Sequence, residues 1–283
     1  MSFAERQLQF TFSGENAGTL SASGLRAIAR VQAYGGRLGV SAQVKIYGLT
    51  EVQTNAYSSR ISAGVGISQF NLSIEAGDVG GTLSQVVSGN IWRSYIDLQE
   101  EPESAFSVTV AGIIYSSTLP VASQSQAGAQ AAENLIAAVC AKAGLTLQNV
   151  SSAHAVLTNQ ATYGSAIDQI DKLARAAGFQ WAILGSTVYI WAANTPRDST
   201  VVTVGPNTPQ RMIGYPAWWE AGIIVRSMFN QEIQVGRQMN VISSITRAAG
   251  TWQIMQVQHD LTTMLPGGPW FTTAILAPLG YTG

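Results

Sequence analysis

The sequence predicts a β-rich α+β protein in which two β-domains flank a small α+β module. Three observations support this fold class: apolar residues alternate near both ends of the chain, glycines and prolines separate the alternating segments, and helical periodicity is confined to the middle. The predicted domains are residues 1–118, residues 119–195 and residues 196–283.

The first β-domain is predicted from short alternating segments with turns between them. Val44 and Ile46 lie on one face of a predicted strand. Phe106, Val108 and Val110 share one face of a later strand in the same way. Glycines at turn-like intervals separate these segments, namely Gly24, Gly35, Gly36, Gly48, Gly80, Gly81 and Gly89. A small sandwich or barrel is the expected arrangement.

The middle module is predicted to contain two helices. Residues 122–130 are small and polar, as in a linker or the start of a helix, and apolar spacing predicts a helix from about residue 126 to residue 143. Ser165 is the predicted N-cap of the second helix, with Asp168 in the capping-box position. Gly178 is predicted to end that helix.

Strands return after the helices. Residues 180–184 and 187–191 flank a Gly-Ser pair, which predicts a hairpin with a two-residue loop. This hairpin belongs to the middle module. The predicted strands of the second β-domain cover residues 201–205, 222–229, 233–236, 239–245 and 252–261. In the last of these strands the apolar phase slips between Ile254 and Met255, which indicates either a β-bulge or two shorter strands.

The composition limits the chemistry that the chain can perform. Charged residues make up only 11% of the sequence, against roughly 25% in an average domain, and the formal net charge is -1. A phosphate-binding surface spread over the whole protein is therefore not expected. Because the chain has one cysteine and two histidines, we expect neither a multi-cysteine metal site nor a His-rich metal centre, and no cofactor is predicted.

The apolar segments are too short to cross a membrane. The longest are residues 134–145 and residues 182–193, whereas a spanning helix needs about 20 apolar residues. The first residues lack a basic segment followed by an apolar one. Neither a secretory peptide nor a membrane span is therefore expected.

Glu100, Glu101 and Glu103 form the densest group of carboxylates. A glycosidase needs two carboxyls roughly 5–10 Å apart, so this group raises the hypothesis of a hydrolase. The sequence favours a solvated loop instead, because exposed like charges are the usual case and no apolar pocket is evident beside them.

Cys140, His154 and His259 are the other residues with catalytic potential. Cys140 lies in the apolar stripe of a predicted helix, where a thiol is usually a core residue rather than a nucleophile. His259 shares the phase of its apolar neighbours and is predicted to be hydrogen-bonded and partly buried, whereas His154 is predicted on the surface. Neither Gly64-Val65-Gly66 nor residues 77–82 has the full pattern of a nucleotide-binding loop, so no catalytic residue is assigned.

Aromatic clusters supply the candidate site, which is an interaction surface. Trp218 and Trp219 follow a Tyr-Pro pair. Trp270 lies in residues 266–271, a segment too rich in proline for a central strand. Tryptophan and tyrosine are favoured at protein interfaces, and low charge suits a protein that covers its surface with neighbours. The alternative is that these aromatics only cap the ends of a barrel.

Several segments carry a family resemblance. Near the C terminus they are MIGYPAWWEAGIIVRSMFNQEIQVGRQMNVISS (212–244) and GTWQIMQVQHDLTTMLPGGPWFT (250–272). Near the N terminus they are LQFTFSG (8–14), SGLRAIARV (23–31) and KIYGLTEVQTNAYS (45–58). Together these segments resemble bacteriophage baseplate (tail) hub proteins, the family of trimeric adaptors between tail tube and spike. The shared positions are structural, so they specify fold and assembly role rather than chemistry.

The resemblance implies that each subunit contributes two tail-tube-like β-barrels and that a homotrimer arranges six barrels in a pseudo-sixfold ring. Such a ring joins the hexameric tail tube to the trimeric central spike, contacts other baseplate proteins, and forms part of the channel through which viral DNA passes as cargo. The resemblance also implies a structural virion protein, assembled in the host cytoplasm, that is not an enzyme. The α+β module is expected at the periphery of the ring.

Two other classes of function stay open from the residues alone. One is a cell-wall or polysaccharide hydrolase that uses Glu100 or Glu103. The other is a carbohydrate-binding β-sandwich of the tail tip, in which Trp218, Trp219 and Trp270 stack on sugar rings.

Overall fold

The fold is described by a computed structural model over residues 5–14, 18–58, 70–98, 103–112 and 120–281. The chain divides into two compact units. The first unit comprises Met1–Gln32, Val40–Ile114 and Gln258–Phe271, and the second unit comprises Ala33–Gly39, Tyr115–Val257 and Thr272–Gly283. Glu100, Glu101 and Gly64-Val65-Gly66 lie outside the described residues.

Strands make up most of the described residues. In chain order they are β1 (Arg6–Gly14), β2 (Gly18–Ser23), β3 (Ala27–Tyr34), β4 (Val40–Tyr47), β5 (Asn71–Asp78), β6 (Ser84–Asp97), β7 (Ala105–Ala111), β8 (Gln124–Ala131), β9 (Thr146–Gln148), β10 (Val156–Thr162), β11 (Phe179–Leu184), β12 (Thr187–Ala192), β13 (Val201–Gly205), β14 (Gln210–Arg211), β15 (Ala217–Trp219), β16 (Gly222–Met228), β17 (Gln238–Val241), β18 (Gly250–Thr263) and β19 (Trp270–Ala277). The helices are α1 (Glu51–Tyr57), α2 (Ala132–Lys142) and α3 (Ala166–Ala177), and Gly36–Leu38 forms a short 3-10 helix. The predicted β-rich class is confirmed.

The first unit is a β-sheet packed around an apolar core. Its strand order is β18–β3–β4–β7–β6–β5–β1–β2, to which β18 contributes its second half. Leu8, Phe10 and Phe12 on β1 are buried and alternate with half-buried polar residues, as one buried sheet face requires. The strand pairings among the described residues do not close this sheet into a barrel.

Gly89 is not a turn residue, contrary to the prediction, because it lies within β6. A Cβ atom at this position would lie 2.8 Å from the Cα atom of Gly112, closer than packed atoms approach. Glycine therefore permits a close approach of two backbone segments here, which a strand glycine does as readily as it marks a turn.

A short helix, α1, follows β4 and was not expected from the sequence. The Thr50 hydroxyl oxygen accepts a hydrogen bond from the Gln53 amide at 3.3 Å, and the Gln53 side-chain oxygen accepts one from the Thr50 amide at 2.9 Å. This reciprocal pair is a capping box, which satisfies two amides that a helix N-terminus otherwise leaves unpaired. Seven residues are too few for apolar periodicity to reveal such a helix.

The second unit contains both helices that the sequence predicts. Helices α2 and α3 pack against each other and contact the neighbouring strands β9, β10 and β11. Ser165 and Asp168 form the predicted capping box, and Gly178 ends α3 in the left-handed conformation at φ 69°. Strands β11 and β12 form the predicted hairpin, with Leu184 paired to Thr187.

Residues 122–130 do not form a linker or the start of a helix. Most of them belong to β8, which pairs antiparallel with β10 from Val156↔Ala131 to Thr162↔Gln124. Small polar residues have weak intrinsic preferences, so the pairing with a distant strand decides their conformation. The helix consequently begins only at Ala132.

The remaining strands of the second unit surround a hydrophobic core to which β13, β16, β17, β18 and β19 contribute buried residues. The prediction of a strand over residues 233–236 is wrong, because these residues lie in turns and irregular backbone. The side chains of Ile233 and Val235 are nevertheless buried in the core. Strand β18 runs without interruption, although Gln253 and Ile254 are consecutive and both fully buried. The phase slip therefore falls inside one strand, and the alternative of two shorter strands is wrong.

Candidate interaction surface

The β15–β16 hairpin of the second unit carries the two predicted interface tryptophans. Trp218 and Trp219 end β15, and the chain turns through Glu220-Ala221 so that Trp219 pairs with Gly222. A Cβ atom at residue 222 would lie 2.0 Å from the carbonyl oxygen of Leu276 on β19, so glycine is needed there. The start of β16 therefore packs tightly on β19, and β15 forms an edge of the described sheet.

The two indole rings lie on opposite sides of the hairpin, because successive residues of a strand point to opposite faces. Trp218 pairs with the buried Ile223 and is itself 59% exposed. Trp219 is 36% exposed on the other side. The hairpin thus presents one tryptophan on each of its faces.

Two arginines share a side of the hairpin with Trp219. Met212 and Ser227 form a buried antiparallel bridge, so their neighbours Arg211 and Arg226 point outward, and both are exposed. The Ile213 amide donates to the Arg226 carbonyl oxygen at 2.7 Å, which fixes this register. We call this surface the outer hairpin face; it comprises Arg211, Ile213, Trp219, Ile224 and Arg226.

The sequence did not identify the two arginines of this face as interface residues. Arg211 and Arg226 are far apart along the chain, and only the strand register brings them to one face. The aromatic cluster beside them was the signal that could be found, because its members are consecutive in sequence.

Trp270 lies in a different environment from the other two tryptophans. It is only 5% exposed, and the guanidinium carbon of Arg6 lies 5.5 Å from its ring centre, within the range of a cation–π contact. Residues 266–269 of its segment lie outside the strands, as the prolines predict, but Trp270 and Phe271 begin β19, which pairs with both β16 and β18. The prolines are confined to the turn before it.

Glu103, the described member of the carboxylate group, forms an ion pair with Arg26. The guanidinium of Arg26 also lies 4.6 Å from the ring centre of Tyr47. The Glu103 side chain is 57% exposed, whereas a general acid of a glycosidase needs an apolar environment that raises its pKa. This geometry agrees with a solvated residue.

Cys140 and the two histidines have the environments expected of structural residues. Cys140 is one of the buried residues of α2. This burial raises the pKa of its thiol to about 12, so the thiol is neutral at pH 7. Burial lowers the pKa of His259 to about 4, so its imidazole is also neutral. His154 is exposed, and its Nδ1 atom lies 2.5 Å from a carboxylate oxygen of Glu133.

One cleft of about 440 Å³ on the first unit includes Arg30, Lys45 and Asp260 in its lining. Arg30 donates to Asp260 at 2.8 Å, so these two charges neutralise each other rather than face a ligand.

Within the described ranges, no group of three or more His, Cys, Asp and Glu side chains is placed to hold a metal ion. None of the helices in that part of the chain is long and apolar enough to span a membrane.

Three of the solved structures with a similar fold are tail or secretion proteins. A tail protein from Neisseria meningitidis MC58 has a TM-score of 0.66 at 10% identity, covering 98% of this chain and 97% of its own. The 43 kDa tail protein of prophage MuSo2 from Shewanella oneidensis has a TM-score of 0.64 at 8% identity, covering 95% and 96%. An Escherichia coli component of the type VI secretion system, described as structurally similar to the T4 bacteriophage tail proteins gp27 and gp5, has a TM-score of 0.56 at 10% identity, covering 91% and 74%. The fold is therefore that of phage tail proteins.

A family model makes the assignment more specific. The model of baseplate hub gp41 matches residues 7–271, which is nearly the whole chain. The chain belongs to the baseplate hub gp41 family of structural phage tail proteins, and the resemblance found in the sequence is confirmed. A baseplate component is part of the virion tail. A sequence search among curated proteins finds no significant match.

Proposed function

We propose that the protein is a non-enzymatic, trimeric hub that joins the hexameric tail tube to the trimeric central spike. Other baseplate proteins surround it, viral DNA crosses its channel only as cargo, and assembly takes place in the host cytoplasm. The observation that carries this proposal is membership of the baseplate hub family over residues 7–271. The similarity of one structural neighbour to gp27 and gp5 supports the same role.

The composition supports a subunit that is covered by neighbours. A cyclic ring buries two different patches of each subunit, and stacking on a tube and a spike covers two more. A surface of this kind needs few solubilising charges, and charged residues make up only 11% of this chain. The exposed Trp218 and Trp219 are the proposed contacts, because large aromatics are costly to leave in water and are favoured in interfaces.

The proposed architecture has two tail-tube-like β-barrel domains, residues 1–118 and 196–283, and a peripheral α+β module, residues 119–195. Three subunits then supply six barrels for a pseudo-sixfold ring. The strand-rich segments on both sides of the two helices support this division. The compact units group the chain differently, because Gln258–Phe271 belongs to the first unit.

The two alternative functions lack a matching site among the described residues. A hydrolase would use Glu103, whose carboxylate is exposed and paired with Arg26. A carbohydrate platform needs aromatic rings on one side, but Trp218 and Trp219 point to opposite sides and Trp270 is buried.

The proposal is tested by expressing the protein alone and together with tube and spike proteins of the same phage. Multi-angle light scattering should give the mass of a trimer, and negative-stain images should show a ring with a central channel. A trimer that forms only in the presence of the tube or spike protein also agrees with the proposal. A protein that stays monomeric both alone and together with the tube and spike proteins would contradict it.

A further inference from the structure

The second half of β6, on the first unit, contains a β-bulge. Ile91 and Arg93 pair with consecutive residues of β7, so the intervening Trp92 is an extra residue. Ile91 and Ser94 are both buried, although they lie three positions apart. In an uninterrupted strand, residues an odd number of positions apart point to opposite faces. The bulge therefore turns Arg93 and Tyr95, together with Trp92, to the face opposite the core.

Trp92, Arg93 and Tyr95 form one exposed patch, which we call the bulge face. Trp92 is 46% exposed and Tyr95 is 39% exposed. The guanidinium carbon of Arg93 lies 4.5 Å from the ring centre of Tyr95, so the cation stacks on the aromatic ring. This stack restrains an exposed arginine, which lowers the conformational entropy lost when a partner binds it. Tryptophan, arginine and tyrosine are the residue types most enriched at the energetic centre of protein interfaces.

The cleft of about 440 Å³ on the first unit adjoins the bulge face, because Tyr95 contributes to its lining. The uncharged polar residues of the lining on β4 and β7 are Gln43, Ser107 and Thr109. Its cations are already paired, Lys45 with Asp97 and Arg30 with Asp260. The cleft is therefore suited to an uncharged side chain rather than to an ion.

The charge of the bulge face indicates what binds there. Among the described residues, the Arg93 guanidinium contacts the Tyr95 ring and forms no ion pair. A partner that brings a carboxylate to Arg93 gains a charge-assisted hydrogen bond beside two aromatic side chains. An isologous contact would instead bring two copies of the same cation together. DNA is disfavoured as well, because its affinity depends on many cations and this face provides one.

A second copy of this chain is a poor source of the carboxylate. More than half of the carboxylates in the described part of the chain already form ion pairs with arginine or lysine, namely Asp97, Glu103, Asp168, Asp171, Asp198, Glu232 and Asp260. Docking through one of these side chains would first break an existing pair. The observations therefore favour a different polypeptide.

We propose that the bulge face docks a segment of a different tail protein, which places a carboxylate on Arg93 and an uncharged side chain in the cleft beside Tyr95. The proposal rests on the proposed hub function, which requires contacts with tube, spike and other baseplate proteins. It adds to that function a surface on the first unit and the chemistry of the segment that binds it. The hairpin tryptophans Trp218 and Trp219 belong to the second unit and form a separate surface.

The experiment measures binding of the purified tube, spike and other baseplate proteins of the same phage to this protein by biolayer interferometry. The variant Trp92→Ala/Arg93→Glu should weaken the binding of one of them at least about tenfold, because it removes an aromatic anchor and reverses the charge. Arg93→Gln removes only the charge. It should make that binding less sensitive to salt between about 0.1 M and about 1 M, where the Debye length falls from ~10 Å to ~3 Å.

The matched control is Tyr163→Ala/Arg247→Glu, which removes an aromatic ring and reverses a charge at two other exposed positions. This control should bind as the wild type does. Thermal unfolding checks that each variant is folded, and Trp92→Ala alone replaces the double variant if that variant unfolds. Equal weakening by the control would contradict the assignment of the bulge face.

The outcomes separate this docking proposal from the proposed function. A wild-type trimer that binds none of the tail proteins, or whose Trp92→Ala/Arg93→Glu variant binds them unchanged, overturns the docking face alone. If that variant instead loses self-association or binding to double-stranded DNA, the face belongs to a second copy or to DNA, and the docking proposal is wrong. A wild type that stays monomeric even with tube and spike overturns the proposed function, whereas the docking face is decided by partner binding.

Discussion

The two units of the molecule place their charged residues differently. In the first unit the ion pairs lie at the surface of the sheet, and the described pairs are Arg26–Glu103, Arg30–Asp260 and Lys45–Asp97. The second unit instead buries Arg197, which is only 2% exposed, among the strands of its core. One unit is thus held mainly by apolar packing, and the other also depends on a buried network of polar groups.

The buried network is satisfied on every side. The Arg197 guanidinium donates to the Val235 carbonyl oxygen at 3.1 Å, to the Gln234 side-chain oxygen at 2.8 Å and to an Asp198 carboxylate oxygen at 3.1 Å. Burial opposes ionisation of Asp198, but hydrogen bonds and the charges of Arg197 and Arg237 hold its pKa below the usual value. A buried arginine is tolerated only with such partners.

This difference predicts which substitutions should destabilise each unit most. Removing apolar volume should damage the first unit, because its sheet encloses a cluster of aromatic rings. Removing a hydrogen-bonding partner should damage the second unit, because each partner left behind is then buried without compensation. Surface ion pairs should matter little in either.

The largest expected effect comes from Phe12→Ala in the first unit. Phe12 is fully buried, and its ring centre lies 5.1 Å from that of Tyr57 and 6.0 Å from that of Phe106. The substitution should lower the free energy of unfolding by about 4 kcal/mol, since it leaves a cavity that the sheet cannot fill. Urea denaturation followed by circular dichroism measures the change. Trp92→Ala, at a 46% exposed position, is the control and should cost far less.

Arg197→Met tests the buried network of the second unit. Methionine fills much of the volume but leaves the Val235 carbonyl and the Gln234 side chain without their donor, so the unfolding free energy should fall by about 3 kcal/mol. Arg175→Met removes an arginine that is 75% exposed and should change it by less than about 0.5 kcal/mol. Equal effects of the two substitutions would mean that burial of the charge is not what matters.

His259 gives the first unit a pH dependence. Its folded-state pKa of about 4 lies below the ordinary value of 6.5, because burial opposes the charged imidazole. Between these two values only the unfolded chain binds the proton, so stability is complete above about pH 6.5 and falls as the pH decreases. The loss should reach about 2 kcal/mol at pH 5.

The measurement compares urea denaturation of the wild type and of His259→Gln between pH 7 and pH 4. Other groups titrate in the same range, so the difference between the two proteins isolates the histidine. The variant is expected to be less stable at pH 7 but to lose less on acidification. Parallel pH curves for the two proteins would rule out this role of His259.

Local signals in the sequence predicted the local structure. The capping box at Ser165 and Asp168 and the β11–β12 hairpin depend on neighbours a few residues apart, so their patterns could be read directly. The predictions for residues 122–130 and for Gly89 were wrong because both conformations depend on distant backbone. Strand β8 depends on its pairing with β10, and Gly89 on its close approach to Gly112. Pairing of this kind leaves no local trace in composition.

The candidate surface was predictable to the same extent. Adjacent Trp218 and Trp219 stood out as an aromatic cluster, but their opposite directions and the burial of Trp270 depend on strand register. The nearby Arg211 and Arg226 gave no signal at all, since the chain between them turns back through the hairpin.

The smallest expected effect comes from breaking a surface ion pair of the first unit. Arg30→Ala breaks the ion pair with Asp260, which also accepts a hydrogen bond from the Gln258 side chain at 2.8 Å. Arg30 is 59% exposed, so water replaces the lost partner and the cost should stay below about 1 kcal/mol. A double-mutant cycle with Asp260→Ala measures the coupling between the two side chains directly. A coupling as large as the loss in Arg197→Met would show that the surface pairs of the first unit also hold its fold, and the contrast between the two units would then disappear.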